Sequence, residues 1–263
     1  MRLYCSTPER FPVKYVDVVE LFFRELRSRG IDQVWYCQPS IHPGGLRSEY
    51  MDGVRIIVPP TLGQGLFGRI LTRLVYLLLE TTYLLAQLRD PPDAILIRDK
   101  YWGAVVGYLV SRLTRRKLLV WLSYPYPEHE REQADAASGM RRAMLGMRSW
   151  LGFHLLYRYV MPRADHCFVQ SEEMKRDMLR WGISPERMTP VPMGIKKATF
   201  DSVDLAIEPT QPPIVLHLGS LSAVRKLEIL ATTSSREWLA DLLALRPVMP
   251  LDGSLSLRGA SIT

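Results

Sequence analysis

Two stretches of the chain combine residue types and spacings that could do chemistry. From Pro213 an apolar run leads to His217 and Leu218, turns at Gly219 and Ser220, and reaches the adjacent cations Arg225 and Lys226 in a helical pattern ending near Leu230. A helix N-terminus with a cation nearby holds phosphate, because its unpaired backbone N–H groups and its dipole both favour an anion. The second stretch, Ser123 to Glu132, leaves a strand-like run and sets His129 between Glu128 and Glu130. An imidazole beside carboxylates can serve as a general base or orient a hydroxyl, and open α/β sheets carry their reacting groups where strands exit. The same residues also suit a solvated acidic loop.

Other patterns say less. Gly63, Gly65 and Gly68 fit G-x-G-x-x-G, the dinucleotide fingerprint. They follow the third strand-like run, and the loop after the first, Thr7 to Pro12, has no glycine, which argues against an NAD-type oxidoreductase. His42 to Gly45 reads as a Pro-Gly turn or a glycine loop lining a crevice. Ser171 before Glu172 and Glu173 reads as a helix N-cap with acids in the first turn. No P-loop, C-x-x-C, H-x-x-x-H, D-x-D or G-x-S-x-G pattern occurs, so neither a metal nor a cofactor is expected.

The elements that must position these groups alternate from the first residue. Strands are expected at Arg2–Ser6, Gln33–Cys37, Val54–Val58, Ala94–Ile97, Leu118–Leu122, His166–Val169 and from Met188 to Pro192. Helices are expected at Val13–Arg29, closed by Gly30, and at Trp102–Leu113, Met140–Met161 and Glu172–Trp181. Such alternation predicts a mainly parallel, Rossmann-like α/β sheet covered on both faces. It runs through residues 1–195. The polar stretch 196–212 reads as a linker, and 213–263 opens a second α/β domain.

A net charge of +7 suits anionic partners. Cys5, Cys37 and Cys167 lie in apolar runs and read as reduced core thiols, which places the chain in the cytoplasm. Leu66 to Leu88 is the most hydrophobic stretch, but Arg69, Arg73 and Glu80 interrupt it, so a helix packed on a sheet is expected there. Met140 to Arg163 is a basic amphipathic pattern that suits either an anionic membrane surface or an ordinary sheet-covering helix.

Read in order, the second half resembles the family-4 glycosyltransferases. The resemblance is carried by Arg163 to Glu172, by Trp181 to Ile195 with Pro192, Met193 and Gly194, by His217 to Leu221, and by Arg225 and Lys226. It implies the two-domain GT-B fold and a retaining transfer of sugar from a nucleotide-sugar to a glycan or lipid-linked acceptor at the cytoplasmic membrane face. It also implies no metal and no nucleic-acid partner. Gly194 would be the hinge, with Met193 where the family carries Asn. Gly219 and Ser220 would face the donor phosphates, and Arg225 would stand at the family's phosphate-contacting Lys, beside Lys226. His129 would be the nearest counterpart of the family's cleft histidine. The family's two glutamates eight residues apart do not occur, so 213–263 is expected to be the truncated start of the nucleotide-sugar-binding domain. That leaves open a non-catalytic fragment that binds acceptor or membrane.

Overall fold

The computed structural model describes residues 1–42, 44–63, 65–194 and 201. Eight strands form one sheet: β1 (Arg2–Arg10), β2 (Asp32–Gln38), β3 (Arg47–Met51), β4 (Val54–Val58), β5 (Ala94–Arg98), β6 (Lys117–Leu122), β7 (His166–Val169) and β8 (Met188–Pro190). Their spatial order is β3-β4-β2-β1-β5-β6-β7-β8. Only β3 runs antiparallel within this sheet of described residues; every other pairing is parallel. The Rossmann-like α/β expectation for the first domain is therefore met. Apart from Asp201, the linker 196–212 and the second domain 213–263 lie outside the described residues.

Parallel strands need crossovers, and six helical segments supply them. They are α1 (Asp17–Leu26, with wide π-type turns), α2 (Leu66–Ala86), α3 (Tyr101–Thr114), α4 (Tyr126–Asp135), α5 (Gly139–Gly152) and α6 (Glu172–Leu179). α5 continues through π-type turns at Phe153–Val160 and a 3-10 turn at Met161–Arg163, so the expected helix Met140–Met161 is continuous but changes pitch. α1 closes as expected at Gly30, whose φ of +76° is the left-handed geometry a helix terminus uses.

The sheet separates two cores. On one face α1 packs Val18, Val19, Phe22 and Phe23 over Leu3, Cys5, Trp35, Ile56 and Leu96. On the other, Tyr76 and Leu84 of α2, Val110 of α3 and the 156–160 turn of the long helix cover Tyr4, Tyr36, Ile95, Ile97 and Val120. The three cysteines are buried and free, as expected of core thiols.

Two elements depart from the expectation. β3 and its hairpin to β4 were not anticipated, although Asp52 (φ +49°) and Gly53 (φ +76°) form the two-residue left-handed turn that Asp-Gly favours. The stretch from Tyr126 is a helix rather than an acidic loop, and it buries Pro127, Glu130 and Ala134. Glu130 is tolerated inside because Arg148 of α5 pairs with it at 2.6 Å.

Candidate active site

β1 passes its chain to β2 on one side and β5 passes its chain to β6 on the other, with α1 and α3 on opposite faces. Connections that diverge in this way leave a crevice outside the carboxyl ends of β1 and β5, the usual ligand position in open α/β sheets. A buried polar cluster occupies that position.

Its centre is Arg98, the last residue of β5, whose side chain is 4% exposed. The guanidinium pairs with Glu9 of β1 through Nη1 and, at 3.0 Å, with Asp17 at the start of α1 through Nη2. Its Cζ lies over the Trp121 ring, 4.4 Å from the centroid, and 5.4 Å from the centroid of the exposed Tyr15 ring. A planar, permanently charged fork can bridge two carboxylates and stack at once, which a lysine ammonium cannot. Two atoms of this group are buried and lack a hydrogen-bond partner: Glu9 Oε2, an acceptor, and Arg98 Nε, a donor. Burial pushes the Glu9 carboxyl up to about 7, although Arg98 opposes the rise.

Asp99 extends the cluster to β6. Its backbone has φ +50°, a left-handed conformation rare for a residue with a side chain. Oδ1 accepts the Ser123 N–H at 2.8 Å and Oδ2 accepts the Ser123 hydroxyl, so the exits of β5 and β6 are tied together. Burial lifts this carboxyl to about 6 while the Ser123 hydrogen bonds hold it down.

A second buried group lies on the other face. Lys100 Nζ donates to Ser6 Oγ at 2.8 Å and to Glu80 Oε1 at 2.9 Å, between the Tyr36 and Tyr76 rings. Desolvation pulls the lysine down from its ordinary value and Glu80 pulls it back. Glu80, which looked like an interruption in an apolar helix, is the partner that permits this lysine to be buried.

The expected site residues fall in different places. His129 lies half-buried on α4, with Nδ1 3.2 Å from the Tyr124 hydroxyl and Nε2 2.8 Å from Gln133 Nε2. Tyr124 stacks edge-on against both His129 and Tyr126, giving the crevice an aromatic side. Gly194 is exposed at the end of the described stretch. Gln170, with its amide nitrogen 3.1 Å from Ser123 O and its oxygen 2.9 Å from Met193 N, ties that stretch to the exit of β6. Gly219, Ser220, Arg225 and Lys226 lie outside the described residues.

The glycine patterns are accounted for locally. Gly68 is in helix α2, and a Cβ there would come 2.8 Å from Gly63 Cα, so these two glycines permit a close approach of backbone. Gly44 bridges to Thr61, joining the loops after β2 and β4. Ser171 is the N-cap expected, accepting the Met174 N–H at 3.1 Å.

The profile of the glycosyl transferase 4-like domain matches residues 16–194, which takes in Asp17, Arg98, Asp99 and Ser123 and every helix around the crevice, while Glu9 and Tyr15 lie just before it. The chain belongs to this family. Among solved structures, the 4-like chain is similar to sucrose-phosphate synthase from Thermosynechococcus elongatus, with 13% identity, a TM-score of 0.49, and coverage of 74% of this chain and 48% of that one. It is also similar to a UDP-GlcNAc 2-epimerase from Methanocaldococcus jannaschii solved with UDP-GlcNAc and UDP (16% identity, TM-score 0.42, 73% and 46% covered). A third is the glycotransferase of kitacinnamycin (15%, 0.41, 81% and 55%). The chain spans about half the length of these structures. No curated protein sequence matches it.

Sequence reasoning missed Glu9, Asp17, Arg98, Asp99 and Lys100. Glu9 and Arg98 are 89 residues apart, so no local motif could join them. One signal was available: an Arg-Asp-Lys run closing a buried apolar strand puts three charges where a parallel sheet opens its crevice.

Proposed function

We propose that this chain is the acceptor side of a retaining glycosyltransferase that moves a sugar from a nucleotide-sugar onto a glycan or lipid-linked acceptor. The observation that carries the reading is the Arg98–Glu9–Asp17 clamp at the carboxyl ends of β1 and β5, with an acceptor on Glu9 and a donor on Arg98 that make no hydrogen bond and the rings of Tyr15, Tyr124 and Tyr126 nearby. A sugar hydroxyl both donates and accepts, and the apolar face of a pyranose stacks on aromatic rings. Glu9 Oε2 and Arg98 Nε, the latter 3.6 Å from Asp99 Oδ2, are the matching acceptor and donor.

In this reading the clamp holds acceptor hydroxyls, Asp99 and Ser123 fix the loop after β6, and His129 orients the Tyr124 hydroxyl at the rim. Arg225 and Lys226 would offset charge on the departing nucleotide beside Gly219 and Ser220, with no metal required. Gly194 would be the hinge towards that donor side. The family membership supports the class of reaction; donor, acceptor and stereochemistry belong to the proposal.

The test is release of free nucleoside diphosphate when the full chain is mixed with UDP-, GDP- and ADP-sugars, with and without a lipid extract. Release from one donor that depends on the extract is the expected result. Release from none, by a folded chain, overturns the reading.

A further inference from the structure

Helices that cover a sheet ordinarily bury one face and show water a polar one. α2, α3 and α5 depart from this on the same side of the molecule. On α2, Tyr76, Glu80 and Leu84 face inward, while Phe67 (79% exposed), Leu74 and Leu78 (65%) form a stripe at heptad-like spacing on the opposite side. On α5, Met140 (85% exposed), Met144 and Met147 repeat every three or four residues outward, while Leu145, Ser149 and Gly152 face inward. α3, which contacts α2 and the continuation of α5, exposes Leu109 and Leu113.

Charge on these helices has one sign. Glu80 is the single acidic residue in α2, α3 and α5, and it is buried against Lys100. Arg148 is occupied by Glu130 of α4. Arg69, Arg73, Arg141 and Arg142 are exposed and make no ion pair among the described residues.

We infer that this three-helix face lies on an anionic lipid bilayer. Apolar side chains enter the headgroup–acyl boundary, and the arginines beside them meet lipid phosphates. Association with a second copy of the chain fits less well: a two-fold interface sets the same patch against itself, bringing arginine towards arginine with no exposed acid between. No described helix is long and apolar enough to cross a membrane, so contact is from the surface. The inference concerns a face separate from the Arg98 crevice and does not depend on sugar transfer; its test reads binding alone.

The experiment is flotation of the full chain with phosphatidylcholine vesicles, with and without phosphatidylglycerol. The chain is expected to float with the anionic vesicles only. Phe67→Ser combined with Leu78→Gln is expected to weaken flotation about tenfold or more, since two large apolar groups no longer leave water. Arg141→Glu with Arg142→Glu, exposed positions that leave the core intact, is expected to abolish the preference for anionic lipid. Overturning results are no flotation by the unaltered chain, or equal flotation by both double variants. A concentration-dependent dimer that Phe67→Ser with Leu78→Gln disrupts would equally overturn it, assigning the face to a second copy.

Discussion

Lys100 Nζ sits 2.9 Å from Glu80 Oε1, joining the exit of β5 to the middle of α2 with both side chains nearly out of solvent (7% and 1% exposed). Ser6 completes the triangle, its hydroxyl 2.6 Å from the same oxygen. Gly103, on α3, leaves the space: a Cβ there would come 2.6 Å from Glu80 Oε1. Gly103→Ala is expected to displace the carboxylate from Lys100 and to cost about 1–3 kcal/mol. Denaturant unfolding checks this, and an unchanged midpoint would show that Glu80 moves freely.

The Arg98 clamp makes a stronger claim on stability. Arg98→Met leaves Glu9 and Asp17 facing one another without a cation, and removing one partner of a buried ionic group costs about 3–5 kcal/mol. Glu9→Gln keeps the shape and removes one charge, so it should cost clearly less. The two unfolding midpoints, measured side by side at neutral pH, check the order.

Proton linkage gives a third expectation. Glu9 titrates at about 7 in the fold against a reference of 4.5, and Asp99 at about 6 against 3.8. A carboxyl raised by folding binds more protons folded than unfolded between those values, so stability falls as pH rises. The Glu9 contribution is full below 4.5 and lost as pH rises through about 7. Unfolding free energy should therefore decline from pH 4.5 to pH 7, and Glu9→Gln should flatten the upper part of that decline. A rising profile in the variant and the parent alike would contradict the assignment.

The turn between β3 and β4 gives the fourth. Gly53 has φ +76°, and a Cβ there would also press on the Arg27 side chain at 2.7 Å. Gly53→Ala should cost about 1 kcal/mol, whereas the half-buried Gly146, with open space where a Cβ would stand, should accept Ala at no cost or with a gain. Thermal melting of the two variants checks the contrast.

What could be read from the sequence, and what could not, follows from the range of the interactions. The apolar runs at Gln33–Cys37, Ala94–Ile97 and Leu118–Leu122 are strands buried on both faces, and that pattern is local. β3 escaped because Arg47–Met51 buries none of its residues fully, and its only cue was the Asp52-Gly53 pair. α4 escaped because four acids dominate it, and burial of Glu130 depends on Arg148, eighteen residues on. The glycine fingerprint at Gly63–Gly68 drew attention for its spacing, yet the spacing serves a backbone contact. The clamp was invisible because Glu9, Asp17 and Arg98 meet only through the order of β1 and β5 in the sheet.

The claim that the crevice beside Arg98 receives a sugar acceptor is tested most directly at Tyr15, which is half-exposed and packs on the guanidinium without supporting the core. The measurement is transfer of labelled sugar by the full chain from a panel of nucleotide-sugars to a lipid extract, the unaltered chain beside Tyr15→Ala. The account predicts incorporation by the unaltered chain, and in the variant an acceptor KM raised about tenfold with kcat little changed, the mark of lost binding. No incorporation from any donor, or transfer indifferent to Tyr15, would contradict it.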